Sequence, residues 1–371
     1  MIISRRSFSR NLTLTICGSS IAIKSLAGQA ARSADLVWYD VESWGVEGKG
    51  WQDTKRYYDR LPGKAEELVR QAVWDLSRHS AGMSVRFATD SKEIQVRYQL
   101  YSENLAMPHM PATGVSGVDL YAEDELGVER WVSVARPEEQ SVEAELAKDL
   151  APGERTYRLY LPLYNGVDKL EIGINAGASW TPIAPRQEKP IVFYGTSIMH
   201  GACASRPGMS ISSILSRRLK KPVINLGFSG NGRMEQEVGA LLTELDPCLY
   251  AIDCLPNMNE QTVSERAAPL VRQLRLARQA TPILLVEDRS FTNSAFFPRL
   301  QERHRTSRLA LNESYQELLA DGIDNLYYLA GDKLLGFDGE GATDGSHPND
   351  LGMVRYADAY EPAIRSILGK F

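Results

Sequence analysis

The sequence predicts an antiparallel β domain followed by a three-layer α/β domain. In the first half, apolar and polar residues alternate with a period of two, as in half-buried β-strands. In the second half, short apolar runs alternate with longer amphipathic stretches, as in a parallel sheet covered by helices. A segment rich in Pro, Gly and Ala separates the two patterns at residues 176–190. We therefore expect a β domain over residues 34–184 and an α/β domain over residues 190–371.

Length and charge agree with this division and exclude one class of partner. The 371 residues exceed what one hydrophobic core usually organises, which favours two domains. The formal net charge of -5 provides no cationic field that would attract a polyanion. Nucleic acid is therefore not expected as a partner. The sequence gives no indication of the oligomeric state.

The first thirty residues have the features of an export signal. Residues 4–8 (SRRSF) form a twin-arginine pattern, and a weakly apolar run at 11–23 is followed by Gly-Gln-Ala at 28–30. We interpret residues 1–30 as a Tat-type signal and expect a periplasmic or secreted protein without a membrane span in its mature form. The alternative is a cationic tail or a short anchor, although Lys24 ends the apolar run below spanning length.

Three cysteines follow this segment: Cys203, Cys248 and Cys254. Their odd number and their spacing fit neither an even disulfide framework nor a zinc site. None of them has a partner in the sequence that would make it a convincing nucleophile. We expect no metal.

The strands of the first half are predicted from local alternation and from the turn residues between them. Alternation is clearest at residues 83–87 and 93–98, and further strand candidates are 37–41, 118–122, 131–134, 156–161 and 169–174. This number of short strands is enough for a β-sandwich or a jelly roll.

The second half reads as five strands and five helices in alternation. The predicted strands are 191–194, 222–225, 249–253, 283–287 and 326–330, and the predicted helices are 210–220, 234–245, 261–279, 298–319 and 350–368. In parallel sheets of this kind, ligands bind beyond the carboxyl ends of the strands. Candidate functional residues are therefore sought there.

Four polar segments follow the predicted strands: GTSI at 195–198, NLGFSGNG at 225–232, DCLPN at 253–257 and DGSHP at 344–348. Each is weak when taken alone, because Ser197 could be a helix N-cap, Asn257 a turn residue, and Asp344 with His347 a capping pair. Together they supply a nucleophile, oxyanion donors, a base and a group that orients the base.

These segments occur in the order of the four sequence blocks of the SGNH (GDSL-like) hydrolases, and the sequence resembles that family. Residues 117–121 (GVDLY) match the Gly-x-Asp-Leu-Tyr signature of a bacterial subgroup with an N-terminal β domain. The resemblance covers nearly all of the mature chain. It implies a flavodoxin-like three-layer hydrolase domain preceded by a jelly-roll-like β-sandwich. Thr196 stands where Asp is common, and Pro256-Asn257-Met258 where Gly-x-Asn-Asp is usual, which concerns the substrate rather than the chemistry.

The resemblance further implies hydrolysis through a covalent acyl-enzyme, without a cofactor. Ser197 would be the nucleophile, His347 the general base, and Asp344 the residue that holds the imidazole. The backbone N–H groups of Ser197 and Gly230 and the side-chain amide of Asn257 would bind the developing oxyanion.

Other polar residues near these segments have two interpretations each. His200 is a candidate substrate contact or a solvated first-turn histidine. Arg206 is a candidate substrate contact or part of a loop salt bridge. Asp253 either acts at the site from the end of its strand, as a support or a substrate contact, or bonds loop backbone. His109 is a candidate for reaching the site from the β domain, and Tyr121 is expected in the core.

We expect an exported esterase that hydrolyses small acyl esters and removes acetyl groups from a carbohydrate. Export, the attached β-sandwich and the lack of a long apolar lid motivate this substrate, so the expected partner is a small-molecule or oligosaccharide ester. One alternative is a thioesterase or lipase-like hydrolase with the same triad. Another is a carbohydrate-binding protein without catalysis.

Overall fold

The alternating residues of the first half form two antiparallel sheets in the computed structural model, which describes residues 35–370. The strands are β1 Leu36–Asp40, β2 Ser84–Thr89, β3 Ile94–Leu100, β4 Asp119–Glu123, β5 Glu129–Val134, β6 Ser141–Ala147, β7 Arg155–Tyr160, β8 Val167–Asn175 and β9 Thr181–Ile183. Their orders are β1-β8-β3-β6 and β5-β4-β7-β2-β9. Apolar side chains of both sheets share one buried core, which confirms the predicted sandwich.

Short helices of the first half pack against the second half. They are α1 Ala65–Leu68, α2 Gln71–Ser77 and α3 Ala112–Val115. Val73 and Trp74 of α2 are buried in the same cluster as Leu226 and Val238 from the second half. The segment between β1 and β2, which the sequence patterns did not assign, therefore covers part of the α/β sheet. The described residues of both halves form one compact unit.

The second half contains five parallel strands in the order β11-β10-β12-β13-β14. The strands are β10 Ile191–Gly195, β11 Val223–Gly227, β12 Leu249–Asp253, β13 Ile283–Val286 and β14 Leu326–Leu329. The chain moves from β10 to β11 on one side and later from β12 to β13 on the other. The carboxyl ends of β10 and β12 therefore flank the crevice where doubly wound sheets bind ligands.

Helices cover both faces of this sheet, as the sequence predicted. They are α4 Ser197–His200, α5 Ile211–Leu219, α6 Gln236–Leu242, α7 Glu260–Ala277, α8 Pro298–Ala320 and α9 Asp350–Leu368. Helices α4, α5 and α9 share one apolar cluster with the sheet, and α6, α7 and α8 share the other. The result is the predicted three-layer α/β architecture.

Two further observations concern the described part of the chain. Cys203, Cys248 and Cys254 are free thiols. No helix within residues 35–370 has the length and apolar character needed to cross a bilayer. The predicted signal, residues 1–30, lies outside the described residues.

Candidate active site

Ser197 is placed at the end of the central strand by a tight turn into α4. The hydroxyl of Thr196 caps this helix by accepting from the N–H of Ile198 at 3.3 Å, and Gly201 ends it with φ of 109°. As the first helical residue, Ser197 has a backbone N–H without an intrahelical acceptor. The side chain is mostly buried, with 7% of the residue exposed. The hydroxyl and the N–H are thus presented together at the sheet edge.

Glycines allow the turn to lie directly on the sheet. A methyl group at Gly227 would lie 2.2 Å from the backbone nitrogen of His200, and one at Gly232 would lie 1.9 Å from the carbonyl oxygen of Gly195. Both distances are well below van der Waals contact. The glycines that the sequence pattern associated with ligand approach therefore also allow backbone segments to pack closely around Ser197.

The structure brings together the three residues of the predicted triad. The Oγ atom of Ser197 lies 2.8 Å from Nε2 of His347. The Nδ1 atom of the same ring lies 2.7 Å from Oδ2 of Asp344. The two distances form one continuous hydrogen-bonded chain from hydroxyl to imidazole to carboxylate.

Asp344 is held in its ionised form by its own loop. Its Oδ1 atom accepts from the N–H groups of Ser346 at 2.9 Å and His347 at 2.8 Å. Partial burial raises the pKa of this carboxyl, but the hydrogen bonds from the His347 backbone, the His347 ring and the Ser346 backbone outweigh that effect and lower the pKa to about 2. A carboxylate at Nδ1 places the ring proton there and leaves Nε2 to accept the proton of Ser197.

The loop after β13 supports the triad loop, and its residues were missed in the sequence. Arg289 is buried, pairs with buried Asp288 and donates from Nε to the carbonyl of Ser346 at 3.2 Å. The N–H of Thr292 donates to the carbonyl of Gly345 at 2.9 Å. Arg289 therefore holds the backbone between Asp344 and His347. The Asp-Arg pair directly after a predicted strand was the signal that could have identified it.

Gly230 and Asn257 follow the two strands that flank β10. Gly230 is exposed with φ of 69°, and its N–H has no acceptor within the described chain. The side-chain oxygen of Asn257 is assigned towards the N–H groups of Asn231 at 3.0 Å and Gly232 at 3.3 Å. This orientation turns the amide NH2 away from that loop. The predicted oxyanion donors therefore lie on adjacent loops at the edge that carries Ser197.

Arg206 forms a salt bridge in its loop, which was one of its two interpretations. Its guanidinium lies 2.9 Å from Oδ2 of Asp119 and 2.5 Å from the hydroxyl of Tyr121. The same carboxylate accepts from the N–H of Gly208 at 2.8 Å and from the Trp131 ring at 2.9 Å. The GVDLY segment thus attaches the β half to the loop that follows α4.

His200 is neither a substrate contact nor a solvated histidine, so both interpretations were wrong. It has no exposed surface, and its ring stacks on Tyr164 with centroids 4.1 Å apart. Its Nε2 atom lies 3.4 Å from the Arg60 guanidinium and 3.3 Å from Nδ1 of His79. Burial, and then the nearby Arg60, lower its pKa well below the usual range. The residues that cover it come from the β half.

Asp253 is also too buried to contact a substrate, and it bonds a side chain rather than loop backbone. It is 1% exposed and accepts from the hydroxyl of Tyr360 at 2.7 Å. Burial raises the pKa of Asp253 to about 7; Asp288 adds to this increase, whereas Tyr360 and Arg289 oppose it. Asp253 therefore lies beneath the site rather than in it.

Replacing Asp253 by asparagine should change how stability depends on pH. The folded-state pKa of about 7 lies above the ordinary value of 3.8, so the folded protein keeps a proton that the unfolded chain has lost between these values. Stability of the native protein therefore falls as pH rises through this window. The variant has no such proton to lose, so its advantage in unfolding free energy over the native protein should increase by about 3 kcal/mol from pH 5 to pH 8. Urea unfolding of both proteins at pH 5 and pH 8 measures this difference. The same change in unfolding free energy between the two pH values in both proteins would contradict the prediction.

No cluster of three or more His, Cys, Asp or Glu side chains within residues 35–370 could hold a metal ion. The triad and the loops beside it present a polarised hydroxyl next to hydrogen-bond donors. Such an arrangement can attack a carbonyl carbon and stabilise the charge that develops on its oxygen.

Two family models match the chain. Residues 188–365 match the GDSL-like lipase/acylhydrolase family, and residues 36–180 match GxDLY, the N-terminal region of SGNH-type esterases. None of the curated proteins compared with the sequence matches it.

Solved structures are similar over most of the chain. A protein from Bacteroides ovatus, named for its likeness to GDSL lipases, is 32% identical with a TM-score of 0.86, covering 90% of this chain and 98% of its own. A salicylyl-acyltransferase from a tetracycline biosynthetic pathway is 18% identical with a TM-score of 0.69, covering 91% and 98%. An acetyl xylan esterase from Butyrivibrio proteoclasticus is 12% identical with a TM-score of 0.56, covering 91% and 99%.

The sequence identity of 32% to the Bacteroides ovatus protein, over 90% of this chain, is high enough to indicate a common family. The identities to the other two proteins are lower, so these structures show a common fold alone. The family models agree with the similarity to the Bacteroides ovatus protein over both halves of the chain. The chain therefore belongs to the GDSL-like lipase/acylhydrolase family of SGNH type, and it is an ester-hydrolysing serine hydrolase.

Proposed function

We propose that this protein hydrolyses small acyl esters through an acyl-enzyme on Ser197, and that its natural substrates are acetyl groups on a carbohydrate. The observation that carries the catalytic part is the hydrogen-bonded chain from Ser197 through His347 to Asp344, at 2.8 and 2.7 Å. These distances are within the reach required for proton transfer between nucleophile and base.

The reaction proceeds in two acyl-transfer steps. Oγ of Ser197 attacks the ester carbonyl carbon while Nε2 of His347 accepts the hydroxyl proton. The oxyanion that forms is stabilised by the N–H groups of Ser197 and Gly230 and by the amide of Asn257. The carbon–oxygen bond to the alcohol then breaks, and His347 returns its proton to the leaving alcohol. Water attacks the acyl-enzyme by the same route, which releases the carboxylic acid and restores the hydroxyl of Ser197.

Two observations support a small acyl group on a polar alcohol. The side chains of His347 and Asp344 are 27% and 44% exposed, so the base and the carboxylate of the triad are accessible from water. The fold is shared with an acetyl xylan esterase over nearly its whole length. A bulky, hydrated alcohol such as a sugar can approach an open site of this kind.

One observation favours the lipase-like alternative. Phe296 and Phe337 are 81% and 80% exposed. They lie on the loops that carry Thr292 and Asp344, which are joined by the bond from Thr292 to Gly345. Exposed aromatic side chains on these two loops could contact a lipid surface. A preference for long acyl chains would then depend on these two residues.

Acyl-chain preference distinguishes the two substrates. We expect kcat/KM for an aryl acetate to exceed that for the matching octanoate by at least about tenfold, because an open, polar site gives a long chain little apolar surface to bury. Acetate release from acetylated xylo-oligosaccharides should accompany this preference. The double variant Phe296→Ser with Phe337→Ser is the control and should leave the acetate rate unchanged.

An octanoate preference that the double variant removes would overturn the carbohydrate proposal in favour of a lipase-like enzyme. Oligosaccharide binding without hydrolysis of any ester would instead favour the non-catalytic alternative.

We also propose that residues 1–30 direct export to the periplasm or beyond, on the basis of the SRRSF pattern and the apolar run that follows it.

A domain boundary in residues 185–189 is a further proposal. The ranges of the two family models, 36–180 and 188–365, support it.

A further inference from the structure

A tight turn from the β half is fixed on the α/β half. Met107 and Met110 exchange two backbone hydrogen bonds, of 2.9 and 3.0 Å, so Pro108 and His109 occupy the tip of the turn. Met110 is 2% exposed and belongs to the apolar cluster of α4, α5 and α9, and Met107 packs against the same cluster. The base of the turn is therefore held by one buried and one partly buried methionine, while its tip is exposed.

The residues that follow the turn are attached to the loop after α4. The hydroxyl of Thr113 donates to the carbonyl of Ser205 at 2.6 Å. A methyl group at Gly114 would lie 2.4 Å from the carbonyl oxygen of Ala204, so only glycine allows this close approach. The turn and the nucleophile helix are thus connected through one short stretch of chain, and their relative position is fixed.

His109 is presented beside the imidazole of the triad. The ring centroids of His109 and His347 are 6.1 Å apart, with an angle of 30° between the ring planes. His109 is exposed, so its ring nitrogens are accessible to a ligand. The leaving alcohol must be close to Nε2 of His347 in order to receive its proton. A bulky alcohol bound at Nε2 of His347 would extend into the space next to His109.

We infer that His109 determines specificity by binding the alcohol part of the ester, with a sugar hydroxyl as its hydrogen-bond partner. An imidazole can donate from one nitrogen and accept at the other, which suits the hydroxyl groups of a carbohydrate. The inference rests on the proposed carbohydrate esterase function. It also gives the β half a direct role in substrate recognition, in addition to its packing on the sheet.

The test compares two acetate esters that differ in the alcohol. For His109→Ala, kcat/KM for an acetylated xylo-oligosaccharide should fall at least about tenfold more than kcat/KM for an aryl acetate, mainly through KM, because the aryl alcohol lacks hydroxyl groups. His109→Asn keeps a donor and an acceptor and should recover part of the loss. Glu103→Gln, an exposed change in the preceding loop, should leave the ratio of the two kcat/KM values unchanged.

Equal losses of kcat on both substrates would overturn the inference, because they would show that His109 only supports the imidazole of His347. An unchanged ratio of the two kcat/KM values in His109→Ala would overturn it as well. A native enzyme that hydrolyses the aryl acetate but no acetylated oligosaccharide would overturn the proposed substrate, and the role of His109 with it. That outcome is visible without any variant, so the two failures can be distinguished.

Discussion

Replacing Ser197 by alanine is expected to lower kcat for an aryl acetate on the order of 10⁶-fold, as the loss of a nucleophile does in serine hydrolases. The hydroxyl provides the atom that forms the acyl-enzyme, and it lies 2.8 Å from Nε2 of His347, the group that accepts its proton. Because the change removes one oxygen from a mostly buried side chain, the fold should be retained. Steady-state kinetics on purified protein, with unfolding curves as a check of stability, measure this effect.

Ser264→Ala is the matched control. Its hydroxyl bonds the carbonyl of Glu260 on the exposed side of α7, so its loss should leave kcat unchanged. If Ser197→Ala retained more than about one per cent of native turnover in a folded protein, Ser197 would not be the nucleophile.

Replacing Asp344 by asparagine is expected to lower kcat about 10⁴-fold with a smaller effect on KM. The carboxylate accepts from Nδ1 of His347 at 2.7 Å, and its low pKa keeps it ionised above about pH 3. An amide that presents its NH2 group to Nδ1 would favour the tautomer with the proton on Nε2. That tautomer cannot accept the proton of Ser197.

Measuring kcat at several pH values checks this prediction. The carboxylate of native Asp344 stays charged over the whole neutral range, whereas the amide of the variant is uncharged. Asp321→Asn, an exposed change at the end of α8, serves as the control. A loss below about tenfold would show that another acceptor orients the imidazole of His347.

The sequence allowed the residues of the site to be predicted because they follow a topological rule. Ser197, Gly230 and Asn257 come directly after three adjacent parallel strands, and such strand ends meet at one edge whatever the sequence between them. Asp344 and His347 were predictable as a pair because three residues separate them. Their segment follows the last predicted strand, so it was expected at the same edge of the sheet as Ser197.

Residues whose role depends on contacts across the chain were not predictable in this way. His200 has the sequence neighbours of a pocket residue, but Tyr164 and Arg60 of the β half cover it completely. The Asp-Arg pair after a predicted strand could have marked Arg289 as a candidate, but its bond to the carbonyl of Ser346 is visible only in the structure. Both roles arise from burial by distant segments, which periodicity along the chain does not report.

The GVDLY segment illustrates the same limit of local patterns. Tyr121 was expected in the core, and it is buried, but its hydroxyl also contacts Arg206. Asp119 accepts from Arg206, Gly208 and Trp131, so the β half fixes the loop after α4 through one carboxylate. Strand periodicity places these residues on β4 but does not indicate which loop they contact.

Covalent labelling tests the central assignment most directly. The protein is treated with a fluorophosphonate, which reacts with activated serine hydroxyls, and the modified peptide is identified by mass spectrometry. We predict one adduct per chain, on Ser197, formed at a rate that falls sharply in His347→Ala. An adduct on a different serine, or full esterase activity after complete labelling of Ser197, would contradict the assignment of Ser197 as the nucleophile.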